Sequence, residues 1–596
     1  MSDALQTAVQ LMQAKRFSEA ELSLRGWLAH NPDDVEARHL RAMALGQLAK
    51  FEAGRAEFKA LIDVHPQPHA VLSNLGNLER RSGNPGAAVD AYRAALKRQP
   101  DFVNARFSLA NALAEMSLHD EAVAEFERII EAQNAHIGAL NGLGNALVSL
   151  GRDDDALAAF DTALELRPGA VICRVNRGAL LRSMGRMDAA IADLQRACRE
   201  APQLAEAHYQ LGNTLRANGQ NDGARQSFDA ALRYAPDRVD IHRDMASLAW
   251  ETGAGAQATR TMDDELAQRP NADLALAKAE ILLRSGDLEG ARTAAHQALH
   301  IDPNHARALA LRGELKAQFD GAISGVDDLK AAFEASGGQD CAIRHQLVES
   351  LLAQRAFDQA LALLDEEPDA KYLQKHVALK ALAWRGLDDP AYRQFYDYDR
   401  FTWVGTIETP PGYDDLDAFN HALAESIARL HTTSAQPLDQ TLFGGTQSPG
   451  RLWNEDDPVI KALSSSLLGA ARTFISGLPD DSGHPFLRRN TGKVELAGAW
   501  SVRLRSGGGH VDHVHPAGWI SACYYVEVPQ TVIQGKNAGW LRLGASGVRG
   551  LDMAAERYIR PEPGRVIFFP SYMWHGVEPF ESETMRVTAP FDLIPA

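Results

Sequence analysis

The sequence is short of cysteine, has no long apolar run and carries a deficit of basic residues. Its four cysteines, Cys173, Cys198, Cys341 and Cys523, are widely scattered over 596 residues, with no CxxC pair. That excludes a disulfide framework and a cysteine-ligated zinc site, and it fits free thiols in a reducing compartment. No apolar stretch approaches the roughly 20 residues needed to cross a bilayer. The opening residues Met1-Ser-Asp-Ala-Leu lack the basic and apolar regions of a secretory signal. Lys and Arg number 61 against 78 Asp and Glu, a net charge of −17. Phosphate backbones are bound by clustered cations, so nucleic acid is not an expected partner. The acidity favours a neutral or basic partner, although ordinary soluble proteins often carry as much. The expectation is a cytoplasmic protein with no membrane contact, too long for one core and built from three or four domain-sized units.

What the chain does contain is a counted repeat. Prolines fall at Pro32, Pro66, Pro100, Pro168, Pro202, Pro236 and Pro270, a step of 34 residues, with Asn134 in the one vacant slot. Twelve residues before each stands a small residue: Ala20, Gly54, Ala88, Ala122, Ala156, Ala190, Ala224, Ala258. Four residues after that comes Leu24, Phe58, Tyr92, Phe126, Phe160, Leu194, Phe228 or Met262. Two helices of about 14 residues and their turns fill such a step. The small residue lets paired helices approach, the large one fills the space beside it, and proline ends the second helix. The pattern resembles the tetratricopeptide repeat over residues 1–270. Degenerate units follow to about residue 364, and residues 370–396 read as a capping helix pair.

Asn77, Asn111, Asn145 and Asn213 share one position in the first helices of their repeats, with Asn74 and Asn176 one turn earlier. First helices of stacked repeats line a concave face. A ladder of amides there can bond an extended peptide backbone without reading its side chains. It resembles the Asn ladder of protein O-GlcNAc transferases. The plainer alternative is that these residues cap or solvate their helices.

After Tyr392 the texture changes, and six of the nine tryptophans follow residue 400. Residues 417–431 and 458–478 read as amphipathic helices, and Gln440–Gly450 as a Gly-rich loop without a phosphate-loop lysine. From Val494 the pattern is β: strands are expected over 496–504, 519–528, 539–543, 557–560, 565–569, 576–579 and 585–592. Short strands separated by turns suggest a jelly roll or cupin-like barrel. The proposed division is 1–396 for the repeats, 397–490 for a helical lead-in and 491–596 for the barrel.

Within that last segment lies His510-Val-Asp-His-Val-His-Pro516, then His575 and Arg586. The order His513-Val-His515-Pro516, Ser521-Ala-Cys-Tyr-Tyr-Val526, Gly564-Arg-Val-Ile-Phe-Phe-Pro570, His575-Gly-Val-Glu-Pro579, Arg586 resembles the double-stranded β-helix of the iron(II)- and 2-oxoglutarate-dependent oxygenases, in a bacterial and phage subgroup, over roughly 495–596. Ligands at i and i+2 point the same way from an extended segment, and a third must come from a facing strand. A facial set leaves positions open for cosubstrate and O2.

The resemblance implies iron(II) held by His513 and His575. His515 stands where the family has a carboxylate, either as a third imidazole or leaving that position to water, and Asp512, in His510-Val-Asp512, is the rival for that place. Aspartyl/asparaginyl β-hydroxylases, which also join such repeats to such a barrel, lack the carboxylate too. Arg586 and Thr588 match the R-x-S/T arrangement that holds the far carboxylate of 2-oxoglutarate, and Tyr525 resembles a tyrosine that assists it in prolyl hydroxylases. His484 reads as a surface or satisfied core residue, His510 stays open, Trp519 and Trp574 read as barrel core or cleft wall, and Cys523 as a buried small apolar residue. The implied function is a dioxygenase that hydroxylates a side chain of a protein or peptide gathered by the repeats. The alternatives are a non-catalytic repeat scaffold with a degenerate barrel, or an oxygenase acting on a small molecule.

Overall fold

The computed structural model describes residues 3–321, 323–432, 441–448 and 452–596. By density of internal contacts the chain divides into two compact units, Met1–Gln203 and Leu204–Ala596.

The first unit consists of helix pairs at the expected step, such as Pro68–Arg81 with Pro85–Arg98 and Ile137–Ser149 with Asp153–Leu166. The spacing rule has a direct steric reason. A Cβ on Gly144 would stand 2.5 Å from the ring of Phe160, so the first helix must be bare where the aromatic of the second presses on it. The small residues Ala20, Ala88, Ala122, Ala156 and Ala190 are fully buried, as are Tyr92, Phe160 and Leu194. Second helices stop two to five residues before each proline, as at Leu28, Leu61, Arg98, Leu166 and Glu200.

The second unit opens with more helix pairs and ends in a sheet. Gly212 and Phe228 repeat the glycine–aromatic contact at 2.6 Å. Pairs continue through Ala272–Arg284 and Leu288–Ile301, Ala306–Phe319 and Val326–Ala335, and Cys341–Ala353 and Phe357–Ala362, to Leu373–Gly386. One hydrophobic core runs from Ala246 in these repeats to Leu593 in the sheet. The strands are β1 Trp403–Thr406, β2 Leu442–Gln447, β3 Val494–Ala499, β4 Val502–His513, β5 Ile520–Glu527, β6 Leu541–Leu543, β7 Arg557–Ile559, β8 Arg565–Pro570, β9 His575–Val577 and β10 Arg586–Pro595. They form one antiparallel ten-stranded sheet in the order β1-β8-β5-β10-β4-β9-β6-β7, with β2 on β4 and β3 on β10.

Three details differ from the sequence reading. The expected strand 496–504 is two strands, parted at Trp500 and Ser501, and the second runs on to His513. The Gly-rich stretch is a strand over Leu442–Gln447; Gln440, Pro449 and Gly450 lie outside the described residues. Glycine at 444 and 445 is needed there because a Cβ would meet the backbone of β4 at 2.7 and 2.5 Å. Residues 403–406, in the stretch read as helical lead-in, pair with β8. The two amphipathic helices form as Leu416–Leu430 and Pro458–Ser476 and cover the sheet. Tyr524 of β5 donates to Asn420 at 2.7 Å, and Phe474 stacks on Phe568 of β8. Among the described residues no helix is long and apolar enough to cross a membrane.

Candidate metal centre

The last residue of β4 faces the first of β9, so the ladder itself pairs His513 with His575. The register slips between His510 and His513, which decides which of the close-set imidazoles meets the facing strand. Beyond the strand end the backbone N–H of His515 donates to the Ser571 carbonyl at 3.0 Å, bringing a third ring alongside. One nitrogen from each of His513, His515 and His575 lies within 4.8 Å of the others. The Nε2 atoms of His513 and His515 are 3.1 Å apart. Two imidazole nitrogens bound at right angles to one ion by bonds of about 2.1 Å would stand about 3.0 Å apart.

The far side of each ring fixes its tautomer. Nδ1 of His513 donates to the Val511 carbonyl at 2.8 Å, and Nδ1 of His575 to that of Met573 at 2.9 Å. Nδ1 of His515 bonds the Asp592 carboxylate at 2.7 Å. With the proton on Nδ1 in all three, three Nε2 lone pairs converge without a hydrogen between them. Lone pairs so placed repel one another and are suited to a cation. Burial, then the charge of neighbouring imidazoles, lowers the pKa of His513 to about 3 and carries that of His575 well below its usual value. For His515 burial acts the same way, but the charge and hydrogen bond of Asp592 outweigh it and the pKa is raised.

Beside these rings lies a cavity of about 50 Å³ lined by His510, His513, Tyr525, His575, Arg586 and Thr588, among others. Arg586 pairs across β10 with Leu504, and Thr588 with Tyr525. The Arg586 guanidinium is 5.1 Å over the Tyr525 ring and 1% exposed. Its Nε and the Tyr525 hydroxyl have no hydrogen-bond partner, and among the described residues no carboxylate pairs with it. A buried cation without a counter-charge is costly, so the cavity suits an anion that can take a bidentate bond. His510 also lines it. Burial, then His513 and Arg586, pushes the His510 pKa well below the usual range.

Asp512 does not join the three imidazoles. Its carboxylate accepts from Nε and Nη2 of Arg542, at 2.9 and 2.6 Å, and Nη1 of Arg542 donates to Glu578. Of the two rivals for the third position, the structure brings His515 to the cluster and turns Asp512 to an arginine.

The family model described as "Putative 2OG-Fe(II) oxygenase" matches residues 498–592. Those described as "Tetratricopeptide repeat" match 73–136, 141–205 and 276–318, and 181–248 and 215–281. The chain carries tetratricopeptide repeats followed by a 2OG-Fe(II) oxygenase domain. No curated protein matches it. Among solved structures it is similar to yeast Tom70, at 12% identity over 66% of this chain and 97% of that one, with a TM-score of 0.37. It is also similar to a tetratricopeptide repeat protein from Parabacteroides merdae, at 18% identity over 41% and 98% with a TM-score of 0.32. A third is a thermophilic repeat protein from Thermus thermophilus, at 23% over 30% and 99% with a TM-score of 0.28. The oxygenase family implies iron(II) and 2-oxoglutarate, and the triad and the unpaired Arg586 are donors of the kinds these two require.

In the first unit Asn77 and Asn145 are exposed and Asn111 half-buried. Asn74 and Asn77 line a hollow with Met43 and Arg81. Asn111 Nδ2 is turned back to the Phe107 carbonyl at 2.9 Å, and Asn77 accepts from the Tyr92 hydroxyl at 2.8 Å. In the second unit Asn213 is half-buried, and later first helices carry Glu280, Glu314 and Glu349 at the same helix position. The amide run therefore ends before the repeats that lead into the oxygenase domain.

His484 is a satisfied core residue, bonding the Gln394 carbonyl at 3.1 Å. Trp519 and Trp574 are buried; Trp574 donates to the Ala378 carbonyl at 3.2 Å. Cys523 is a cavity-wall residue. Two participants escaped the sequence reading. Thr441 Oγ1 lies between His510 and His513, at 3.3 and 3.4 Å, and nothing in a lone threonine signals that. Asp592 was in principle legible: it shares the strand parity of Arg586 and Thr588 and is the one acid in an apolar run.

Proposed function

We propose that the chain is an iron(II)- and 2-oxoglutarate-dependent dioxygenase that hydroxylates a side chain of a protein or peptide gathered by its repeats. The observation that carries this reading is the pairing of three converging Nε2 lone pairs with an unpaired buried guanidinium across one small cavity. His513, His515 and His575 would hold the iron. Arg586 and Thr588, with Tyr525 beside them, would hold the far carboxylate of 2-oxoglutarate. When bound, the iron and 2-oxoglutarate supply O2 activation coupled to decarboxylation.

The chain's own part is placement and exclusion. Carbonyl and carboxylate acceptors keep each Nδ1 protonated and each Nε2 free. The low pKa of His513 and His575 keeps both rings neutral at neutral pH, so a metal does not have to displace a proton from either of them. Phe569, packed 4.7 Å from His575, and the Tyr525 ring make the walls apolar and limit water. The amides Asn77, Asn111 and Asn145 of the first unit, and separately Asn213 of the second, are suited to backbone hydrogen bonds with an extended peptide, as tetratricopeptide repeats are generally protein-interaction modules. A reducing cytoplasm, where free thiols and iron(II) both persist, is the matching location.

The test is turnover. Protein purified without O2 and supplied with iron(II), ascorbate and O2 is expected to convert 2-oxoglutarate to succinate, and a peptide captured by the repeats to gain one oxygen atom. Succinate formation without any oxidised peptide, in the presence of cell extract, would favour a small-molecule substrate. No iron uptake and no succinate would leave a scaffold.

A further inference from the structure

Of the three imidazoles, two rest on neutral backbone carbonyls and one rests on a charge. We propose that Asp592 is a positioning residue that acts through His515, delivering by way of that ring the negative charge that a carboxylate ligand would bring to the iron directly. The proposal rests on the iron(II) oxygenase reading above.

The contact is built with care on every side. Asp592 Oδ1 is 2.7 Å from His515 Nδ1 and 2.8 Å from Ser521 Oγ, and Ser521 Oγ is 2.9 Å from Ser571 Oγ. Ser571 in turn accepts the His515 backbone N–H at 3.0 Å through its carbonyl. Asp592 and Ser521 are ladder partners on β10 and β5, so the sheet fixes their distance. The turn after His515 can lie against this group because residue 518 is glycine. A Cβ there would stand 2.4 Å from Ser571 Oγ and 3.1 Å from Asp592 Oδ1. The Asp592 side chain is 12% exposed and has no Lys or Arg partner among the described residues. A buried carboxylate whose one charge-capable neighbour is an imidazole gives that ring anionic character when its Nε2 binds a cation.

The consequence is chemical as well as structural. Three neutral imidazoles alone would leave the full charge of a divalent ion uncompensated, whereas the common facial triad of non-haem iron oxygenases includes one carboxylate. Asp592 restores that charge one hydrogen bond further out. It also explains how His515 can replace the carboxylate and why Asp512, the residue before His513, is free to pair with Arg542.

The experiment compares the full chain with Asp592→Asn and Asp592→Glu. Asparagine can still accept the Nδ1–H but carries no charge; glutamate keeps the charge. Anaerobic titration of the metal-free proteins with iron(II) is expected to show binding weaker by about 10- to 100-fold in D592N, and the iron midpoint potential is expected to rise, since the lost anion favoured the ferric state. D592E is expected to fall between D592N and wild type on both readouts. Wild-type protein loaded with Co(II) gives a measurement that needs no variant: three contact-shifted ring N–H resonances are expected, one from each Nδ1. Two resonances, or D592N with wild-type affinity and potential, would overturn the proposal. Weaker binding at an unchanged potential would reduce Asp592 to a structural support and overturn it as well. Wild-type chain that takes up no iron at all would instead remove the oxygenase reading, and this proposal with it.

Discussion

The unit of residues 1–203 and the oxygenase domain each bury a cluster of touching imidazoles, and only one of the two is fit for a metal. In the repeats, Glu36, His39 and His65 bring their ligand atoms within the same 4.8 Å that encloses His513, His515 and His575. Nδ1 of His39 and Nε2 of His65 are 3.3 Å apart, nearly the spacing seen in the barrel. The difference is on the far nitrogens. In the barrel every Nδ1 faces an acceptor, which forces a lone pair onto every Nε2. In the repeats Nδ1 of His65 accepts the backbone N–H of Gln67 at 3.0 Å, so the neutral ring carries its proton on Nε2. That proton sits where a metal would have to be, and Glu36 Oε2 lies 3.4 Å from the nitrogen that carries it, while Asn74 Nδ2 takes the far Nε2 lone pair of His39 at 2.9 Å. A cluster of ligand residues is therefore not a metal site until its outer hydrogen bonds leave the inner lone pairs free.

The sharpest way to break this comparison is to count metals. His575→Ala is expected to abolish iron(II) binding and succinate formation, whereas His65→Ala is expected to leave both unchanged and cost about 1–3 kcal/mol of stability through the unpaired His39. Two ions per chain in anaerobic titration, one of them lost in H65A, would refute the tautomer argument. Next in size is Arg586→Met. Removing a charged hydrogen-bond partner of the cosubstrate is worth about 1.5–3 kcal/mol, so the KM for 2-oxoglutarate is expected to rise roughly 10- to 100-fold. Iron(II) affinity in the absence of cosubstrate should stay as in wild type.

The smallest effect is on pH. Burial lowers the pKa of both His513, to about 3, and His39, to about 4, below the free imidazole value of about 6.5. The unfolded chain then binds protons that the folded chain does not. The stability each ring contributes is present in full above pH ~6.5 and is lost as pH falls through the folded values. Metal-free protein is expected to lose Tm progressively from pH 7 to 5, in both units. Iron(II) should restore only the transition of the unit that contains the oxygenase domain, because it binds one cluster and not the other.

Much of this was legible in the chain, for a physical reason that differs between the regions. Helix pairs at a 34-residue step are local: proline stops, small residues and an aromatic four positions on act within one repeat, and Gly144 against Phe160 shows the rule at work. The order of the barrel elements was equally readable, since His575, Arg586 and Thr588 fall on strands with the right parity. The Gly-rich stretch was misread because its glycines serve close backbone approach in a strand, not a loop. The first β-strand was missed for its brevity, at four residues beside a helix end.

What the sequence determined by itself is the list of parts: a repeat superhelix, a curled sheet, four imidazoles and an arginine in a set order. Periodicity and chain order are properties of neighbours, and neighbours are written in the chain. Which imidazoles meet was decided only by tertiary structure. A slip of register between His510 and His513 chose the facing ring, a carboxylate 77 residues on from His515 claimed its far nitrogen, and Arg542 drew Asp512 away. Each of those choices rests on partners from other strands, which no local pattern can name.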